Sequence, residues 1–315
     1  MKSFRNLQER LPKEFLDRIY AEYGQVQAEK ILAGYMTERP ITLRVNTLKT
    51  EVRAVMRQFQ TENLKFERVS WYQDALILKN CKEKDLATHP LYEAGQIYLQ
   101  SLSSMIPPLI LDPKPGQKIL DLTAAPGSKS TQLAALMQNQ GELLANELNE
   151  IRAERLKFNV DRQGASMIQV RHGDGKHLEA AYEGAFDAVL LDAPCSGEGL
   201  FLVDESRTYR GWSMKKVREL AAEQKKLFRT AWWALKPGGT MVYSTCTLAK
   251  EENEGVLEWA LAQYPELKLI NLPLHLPQHL LDLTKLSQPQ QSSLRIYPSL
   301  LMEGFFVARF QKSSL

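Results

Sequence analysis

Five short apolar runs, "KILDL", "GELLANE", "SMIQVR", "FDAVLLD" and "GTMVYST", alternate with helical stretches from residue 117 onward. This alternation constrains the chain more than any other feature. Strands separated by helix-length crossovers pair in parallel, and the crossovers cover both faces of the sheet. The clearest crossover holds Val217, Leu220, Ala221, Leu227, Phe228, Ala231 and Leu235 at spacings of three, four and seven. That spacing predicts a helix over 213–235, stopped by Lys236-Pro237-Gly238-Gly239. The expected fold class is α/β, a parallel sheet with helices on both faces.

The first part of the chain reads differently. "LPKEFLDRIYAEYG" and "QVQAEKILAGYM" predict two helices broken at Gly24. "ITLRVNTLK" predicts a strand, "EVRAVMRQFQ" a helix, and "ERVSWYQDALILK" one or two strands. "QIYLQSLSSMIPPLILDPKPGQ" follows as a strand, a helix and a turn rich in Pro and Gly. This mixed order suggests a small α+β domain over 1–110, with a second domain over 111–315. Residues 271–293 are rich in Pro, Gln and Ser and read as a long excursion, and "GFFVARF" reads as a terminal strand.

Composition narrows the setting. At 44% hydrophobic and 24% charged residues the chain is ordinary for a soluble protein, and a net charge of +3 gives no global basic excess. Three cysteines, Cys81, Cys195 and Cys246, are too few and too odd for a disulfide framework and indicate a reducing compartment. No apolar stretch of signal-peptide type opens the chain, and no run of about 18 apolar residues suggests a membrane span. The expected location is cytoplasmic.

After the first strand, Asp121 stands at the carboxyl edge, followed by Thr123, Ala124, Ala125, Pro126, Gly127, Ser128 and Lys129. Small residues let backbone approach a ligand closely, and a helix N-terminus behind them attracts negative groups. Neither G-x-x-x-x-G-K-[ST] nor G-x-G-x-x-G is present, which disfavours triphosphate and dinucleotide ligands. Glu147 ends the second strand, where an acid can accept from both ribose hydroxyls. Asp174 follows the third strand, placed for an adenine amino group, and Asp192 ends the fourth. Any one of these acids alone reads as a solvated strand end or cap. Their recurrence after consecutive strands fits a crevice for a cationic, ribose- and adenine-bearing ligand, and S-adenosyl-L-methionine matches that description.

Cys195 follows Asp192-Ala193-Pro194 and precedes the polar loop Ser196-Gly197-Glu198-Gly199. Cys246 lies among Ser244, Thr245 and Thr247, with the helix "KEENEGVLEWAL" expected just after it and Thr247 helping to cap it. A nearby helix N-terminus favours thiolate, so Cys246 reads as reactive rather than structural, and Cys195 less firmly so. Cys81 reads as an inert surface or strand residue. Two thiols and an acid suit methylation of a pyrimidine. Carbon 5 of cytosine is a poor nucleophile until a thiolate adds at carbon 6. An acid at ring nitrogen 3 stabilises the developing charge, and loss of the carbon 5 proton expels the thiol.

At these residues the chain resembles the Sun/Nop-type RNA cytosine-5 methyltransferases. The resemblance rests on "LDLTAAPGSKS", "VLLDAPCSGEG", "YSTCTLAKEENE" and "GFFVARF", in order, with "LRVNTLK" and "GQIYLQSLSS" upstream, and covers about residues 40 to 312. Thr123 and Ser128 stand where relatives often carry Cys and Gly, and Glu303 where Asp is common. The resemblance implies a Rossmann-like class I methyltransferase sheet. It implies Cys246 as covalent nucleophile, Cys195 in product release, Asp192 touching base and cofactor, and Thr123 to Lys129 with Glu147 and Asp174 binding S-adenosyl-L-methionine. The expected partner is structured RNA, ribosomal or transfer, with no membrane and no metal; the sequence does not give the oligomeric state, and a monomer is the expectation.

A DNA cytosine-5 methyltransferase would use Cys195 as nucleophile; the Thr-Cys string tilts toward RNA. A catalytically silent RNA-binding protein is disfavoured by the intact Asp192, Cys195 and Cys246. An oxidoreductase lacks C-x-x-C and the dinucleotide glycines. Candidate phosphate contacts are Arg207, Arg210, Lys215, Lys216 and Arg218, with Arg39 and Arg44 in the smaller domain. Tyr209, Trp212 and Phe201 are candidates to stack on a flipped base, with packing against the domain as the plainer reading. The chain ends soon after the catalytic sequence, so RNA choice is expected to fall to the N-terminal domain and surface loops.

Overall fold

The computed structural model describes residue 7, residues 9–273 and residues 292–314. Most of the Pro-, Gln- and Ser-rich excursion lies outside the described residues.

The N-terminal helix α1 (Lys13–Tyr35) is kinked at Gly24, where φ is 69° and ψ is 167°. The expected break is there, as a bend in one element rather than a loop. Next come β1 (Thr42–Val45), α2 (Val52–Thr61), β2 (Phe66–Arg68), β3 (Ala75–Leu78) and β4 (Ile97–Leu99). The strands form an antiparallel sheet in the order β2-β3-β1-β4. Val55 and Phe59 of α2 close a core with Leu43, Val45, Leu76, Leu78 and Ile97. Cys81 sits against this core, and burial raises its thiol pKa.

The five apolar runs form β5 (Lys118–Asp121), β6 (Glu142–Glu147), β7 (Ile168–His172), β8 (Phe186–Asp192) and β9 (Leu235–Thr245). All neighbours among them pair in parallel. β12 (Phe305–Lys312) joins β9 antiparallel, and β10 (Leu267–Leu269) and β11 (Ser293–Ile296) pair with its other edge. The order is β10-β12-β9-β8-β5-β6-β7. The chain runs outward from β5 through β6 and β7, then returns to place β8 on the other side of β5. That reversal opens a crevice at the carboxyl ends of β5 and β8, where ligands bind in open α/β sheets. This is the mixed α/β architecture expected, with helices on both faces.

The helix predicted over 213–235 spans Met214–Ala234. Ser213 caps it by accepting the Lys216 N–H at 3.2 Å. Leu235 passes directly into β9, so the Pro-Gly-Gly string lies within a strand rather than in a loop.

Two packing relationships concern the crevice. The helix Leu102–Leu111 buries Leu102, Met105, Ile106 and Ile110 against Ile119, Leu190 and Val242 of the large sheet. Helix α1 buries Phe15, Leu16, Ile19 and Ile31 against Phe201, Tyr209, Trp212 and Leu248, which follow β8 and β9. The two loops that carry the cysteines are therefore walled by α1.

Candidate active site

Aspartates and cysteines reach the crevice because β5, β6, β8 and β9 all end there. A cavity of about 330 Å³ is lined by Thr123, Ala125, Glu147, Asp174, Asp192, Cys195 and Cys246, with Asn146, Arg152 and Leu227 among its other walls. Of the expected cofactor turn, Thr123 and Ala125 face this space. Ala124 ties the turn to the neighbouring strand, its N–H donating to Asn146 O at 2.8 Å. Pro126 and Gly127 follow, and Gly127 has φ of 104°, a left-handed conformation that glycine adopts without strain. A side chain there would also meet Leu156 at 2.9 Å. Ser128 opens the helix Ser128–Leu136.

Lys129 is in the same turn, yet its ammonium is directed at Asp192 and does not line the cavity. Its Nζ lies 2.6 Å from Asp192 Oδ2 and donates to Ser104 Oγ at 2.9 Å. Burial opposes the charge on Lys129, but the adjacent Asp192 more than offsets it, and the lysine pKa is raised. The other Asp192 oxygen accepts from Ser244 Oγ at 2.7 Å. Thr123 Oγ1 donates to the Asp192 carbonyl at 2.8 Å. Asp192 is thus held at both carboxyl oxygens and at its backbone. Asp121, behind the turn, is buried, accepts from Ser130 Oγ at 2.6 Å, and is pushed up to about 7 by burial and then by Asp192.

Glu147 Oε1 accepts the Asn149 N–H at 2.9 Å and lies 3.5 Å from Arg152. Asp174 Oδ1 accepts the Lys176 N–H at 2.9 Å, with the Lys176 ammonium 3.5 Å from Oδ2. With Asp192 they make the cavity wall acidic at three places.

The two thiols meet. Cys195 Sγ and Cys246 Sγ are 3.0 Å apart, and both cysteines are free. Hydrogen bonding to Cys246, together with burial, raises the Cys195 pKa well above the ordinary thiol value, so Cys195 holds its proton.

Residues that the sequence reading passed over hold this pair in place. Glu252, fully buried, accepts the Ser196 N–H at 2.9 Å and Gln224 Nε2 at 2.8 Å; Gln224 also donates to Pro194 O at 2.9 Å. The backbone on both sides of Cys195 is gripped in this way. Asn253 accepts from Thr245 Oγ1 at 2.6 Å and donates to Thr247 O at 3.0 Å, gripping both sides of Cys246. Gly199 N–H donates to Cys246 O at 2.9 Å. Gln224 left a trace in the sequence: it is a polar residue on the helix face that carries Val217, Ala221 and Phe228. Glu252 and Asn253 lie inside the string after Cys246, where the sequence predicts only a helix start.

Several expectations are corrected. The helix after Cys246 starts at Glu254, with Asn253 rather than Thr247 at its N-cap; Thr247 Oγ1 instead accepts the Ala249 N–H at 3.2 Å within a turn. Arg44 is fully buried, donating to Gln100 Oε1 at 3.2 Å and Thr131 Oγ1 at 3.1 Å, so it faces no phosphate. Arg39 is half-buried and donates to the carbonyls of Ser299, Met302 and Gly34. Phe201, Tyr209 and Trp212 are buried with Phe15 and Tyr35, the plainer of the two readings. Arg207, Arg210, Lys215, Lys216 and Arg218 are exposed, and Arg207 pairs with Glu205 at 2.6 Å. Among the described residues no helix is long and apolar enough to cross a membrane.

Comparison with known proteins bears on this geometry. Residues 108–311 match the family of the 16S rRNA methyltransferase RsmB/F, and residues 11–102 match the N-terminal domain of 16S rRNA methyltransferase RsmF. The chain is 40% identical over 314 residues to the ribosomal RNA small subunit methyltransferase F of Cronobacter sakazakii, covering 96% of this chain and 64% of that protein. It thus spans somewhat less than two thirds of that relative's length. Among solved structures, a methyltransferase homolog protein from Pyrococcus horikoshii is 33% identical, with a TM-score of 0.82 and coverage of 98% of this chain and 99% of that one. The structure of NSun6 from Pyrococcus horikoshii with SFG has a TM-score of 0.84 at 22% identity, covering 97% of this chain and 99% of that one, a likeness of fold.

Proposed function

Because the chain belongs to the RsmB/F family of methyltransferases, we propose that it methylates carbon 5 of a cytosine in small-subunit ribosomal RNA, using S-adenosyl-L-methionine, through a transient thioether at Cys246. The observation that carries this reading is the meeting of two free thiols 3.0 Å apart on the wall of an acidic cavity.

The cavity fits the cofactor's chemistry. Three carboxylates face a ligand that is cationic and rich in hydroxyls, and Thr123 and Ala125 leave backbone close to it. Glu147 would hold the ribose hydroxyls and Asp174 the adenine amino group. When bound, S-adenosyl-L-methionine supplies an electrophilic methyl group.

The protein's own groups then divide the work. Cys246 as thiolate forms a bond to carbon 6 of the ring, with Cys195 S–H as the hydrogen-bond donor to that sulfur before attack. Electron density moves toward ring nitrogen 3, which takes a proton passed from the Lys129 ammonium by way of the Asp192 carboxylate beside it. Carbon 5 thereby gains the nucleophilicity that methyl transfer requires. Once the Cys246 sulfur is bonded to carbon 6 and its charge is gone, Cys195 releases its S–H proton to solvent and, as thiolate, takes the proton from carbon 5. The ring double bond reforms, the nitrogen 3 proton returns through Asp192 to Lys129, and the bond from carbon 6 to Cys246 breaks, returning the thiolate. Pre-aligned groups held at both backbone flanks suit such a sequence, because little reorganisation is needed in each step.

The test is adduct trapping. Small-subunit ribosomal RNA carrying 5-fluorocytosine cannot lose a proton from carbon 5, so a covalent complex should persist on a denaturing gel. Cys246→Ala should abolish it, while Cys195→Ala should retain a bond to unmodified RNA. The reverse pattern would indicate the nucleophile usage of DNA cytosine-5 enzymes. Trapping only with transfer RNA would reassign the substrate.

A further inference from the structure

Helix α1 contributes more than an apolar wall. Arg18 projects from it with a side chain only 10% exposed and meets three carboxylates. Its Nη1 lies 3.0 Å from Glu198 Oε1, its Nη2 2.7 Å from Glu251 Oε2, and its Nε 2.7 Å from Glu22 Oε1. Glu198 belongs to the loop after Cys195, and Glu251 to the loop after Cys246. Trp212 Nε1 donates to the same Glu198 oxygen at 2.9 Å.

Each acid stands one bond from a cysteine loop contact. Next to Glu198, the Gly199 N–H donates to Cys246 O at 2.9 Å. Next to Glu251, the Glu252 carboxylate accepts the Ser196 N–H at 2.9 Å. The guanidinium therefore closes a ring that runs from one loop to the other and back. Docking of α1 does not call for it, since Phe15, Leu16 and Ile19 already bury that face. Two acids from separate loops brought this close would repel one another without the cation between them.

We propose that Arg18 is a positioning residue for both cysteines: it clamps the loop after Cys195 to the loop after Cys246 and so sets the separation of the two thiols. The role rests on the reading of Cys195 and Cys246 as the working pair. It also makes the N-terminal region part of the catalytic assembly. A planar, multidentate cation suits the task, because one arginine can engage several carboxylates in fixed directions.

The experiment uses the full chain in a Cys81→Ser background, with Arg18→Ala, Arg18→Lys and Glu251→Gln. Folding is verified by thermal melting and by binding of S-adenosylhomocysteine. The first readout needs no RNA: diamide takes two electrons and two protons from the thiols, and the rate of Cys195–Cys246 disulfide formation reports their apposition. Arg18→Ala should slow it about tenfold, and should lower kcat by a similar factor with KM for RNA within about threefold. Arg18→Lys should recover part of both losses, and Glu251→Gln should fall between it and the wild type. Wild-type crosslinking and kcat in folded Arg18→Ala would overturn the proposal. If that variant does not fold, wild-type rates in Glu251→Gln would do so. Fast crosslinking in a wild-type protein that forms no RNA adduct would remove the proposed function and leave the clamp standing.

Discussion

Lys129 and Asp192 stand 2.6 Å apart at the junction of the cofactor turn and the Pro-Cys loop, with the lysine side chain only 11% exposed. The cation neutralises an acid on the cavity wall, and takes its position from Ser104 on the helix that precedes the large sheet.

Lys129→Met should therefore separate binding from chemistry. The ammonium is directed at Asp192 and does not line the cavity, so S-adenosylhomocysteine affinity should change by less than about threefold, while kcat falls about 10²-fold, the scale of a lost preorganised electrostatic group. Isothermal titration and single-turnover methylation measure the two. A large loss of cofactor affinity with unchanged kcat would instead place Lys129 on the ligand.

Asp121 predicts a pH dependence of stability. Its folded pKa, about 7 and raised chiefly by burial, exceeds the ordinary carboxyl value of about 3.9. The unfolded chain ionises first as pH rises. Its contribution to stability is thus full below about pH 4 and is lost progressively up to about pH 7, on the order of a few kcal/mol. Asp121→Asn should flatten that portion of the curve and raise stability at pH 8. Urea titrations at pH 5 and pH 8 check this; equal slopes in wild type and variant would refute it.

Gly199 and Gly197 should respond differently to alanine. At Gly199 a Cβ would lie 2.0 Å from the Gly304 carbonyl oxygen, and the two backbones are joined by the Gly304 N–H to Gly199 O bond of 2.9 Å. Gly199→Ala must push this contact apart and shift the N–H that holds Cys246, costing about 1–3 kcal/mol and most of the adduct formation. At Gly197 the φ of 73° is strained for alanine, but nothing stands within 4 Å, so the cost should stay near 1–2 kcal/mol. Thermal melts with adduct trapping distinguish them.

Arg44 and Lys216 make a further contrast. Arg44→Ala empties a buried site between β1 and the helix Ser128–Leu136 and should lower stability by about 2–5 kcal/mol. It should leave the salt dependence of RNA binding unchanged. Lys216→Ala, on an exposed helix start, should leave stability alone and reduce the salt slope by up to about 0.7 if it neutralises a phosphate. Filter binding over a salt series is the measurement.

Much of the architecture was legible in local pattern. Each of the five apolar runs became a parallel strand, and Val217, Ala221, Leu227, Phe228 and Ala231 became the buried face of one helix. Their periods follow directly from strand and helix geometry. The residues at the strand ends were legible too, because sheet topology brings carboxyl ends to one crevice.

What local pattern left open was decided by approach across long sequence separations. Arg18 reaches Glu198 across 180 positions and Glu251 across 233, and Cys195 reaches Cys246 across 51. No periodicity encodes such pairings, since they depend on how α1 docks against two loops. The same reason governs Arg44, a candidate phosphate contact by sequence, which the docking of the small sheet buries, and Lys129, placed by sequence in the cofactor turn, which tertiary packing turns toward Asp192. Backbone preferences and apolar spacing determined the elements and their order. Only the folded arrangement, by bringing charges and sulfurs from distant segments into a desolvated space, decided which of those side chains act together.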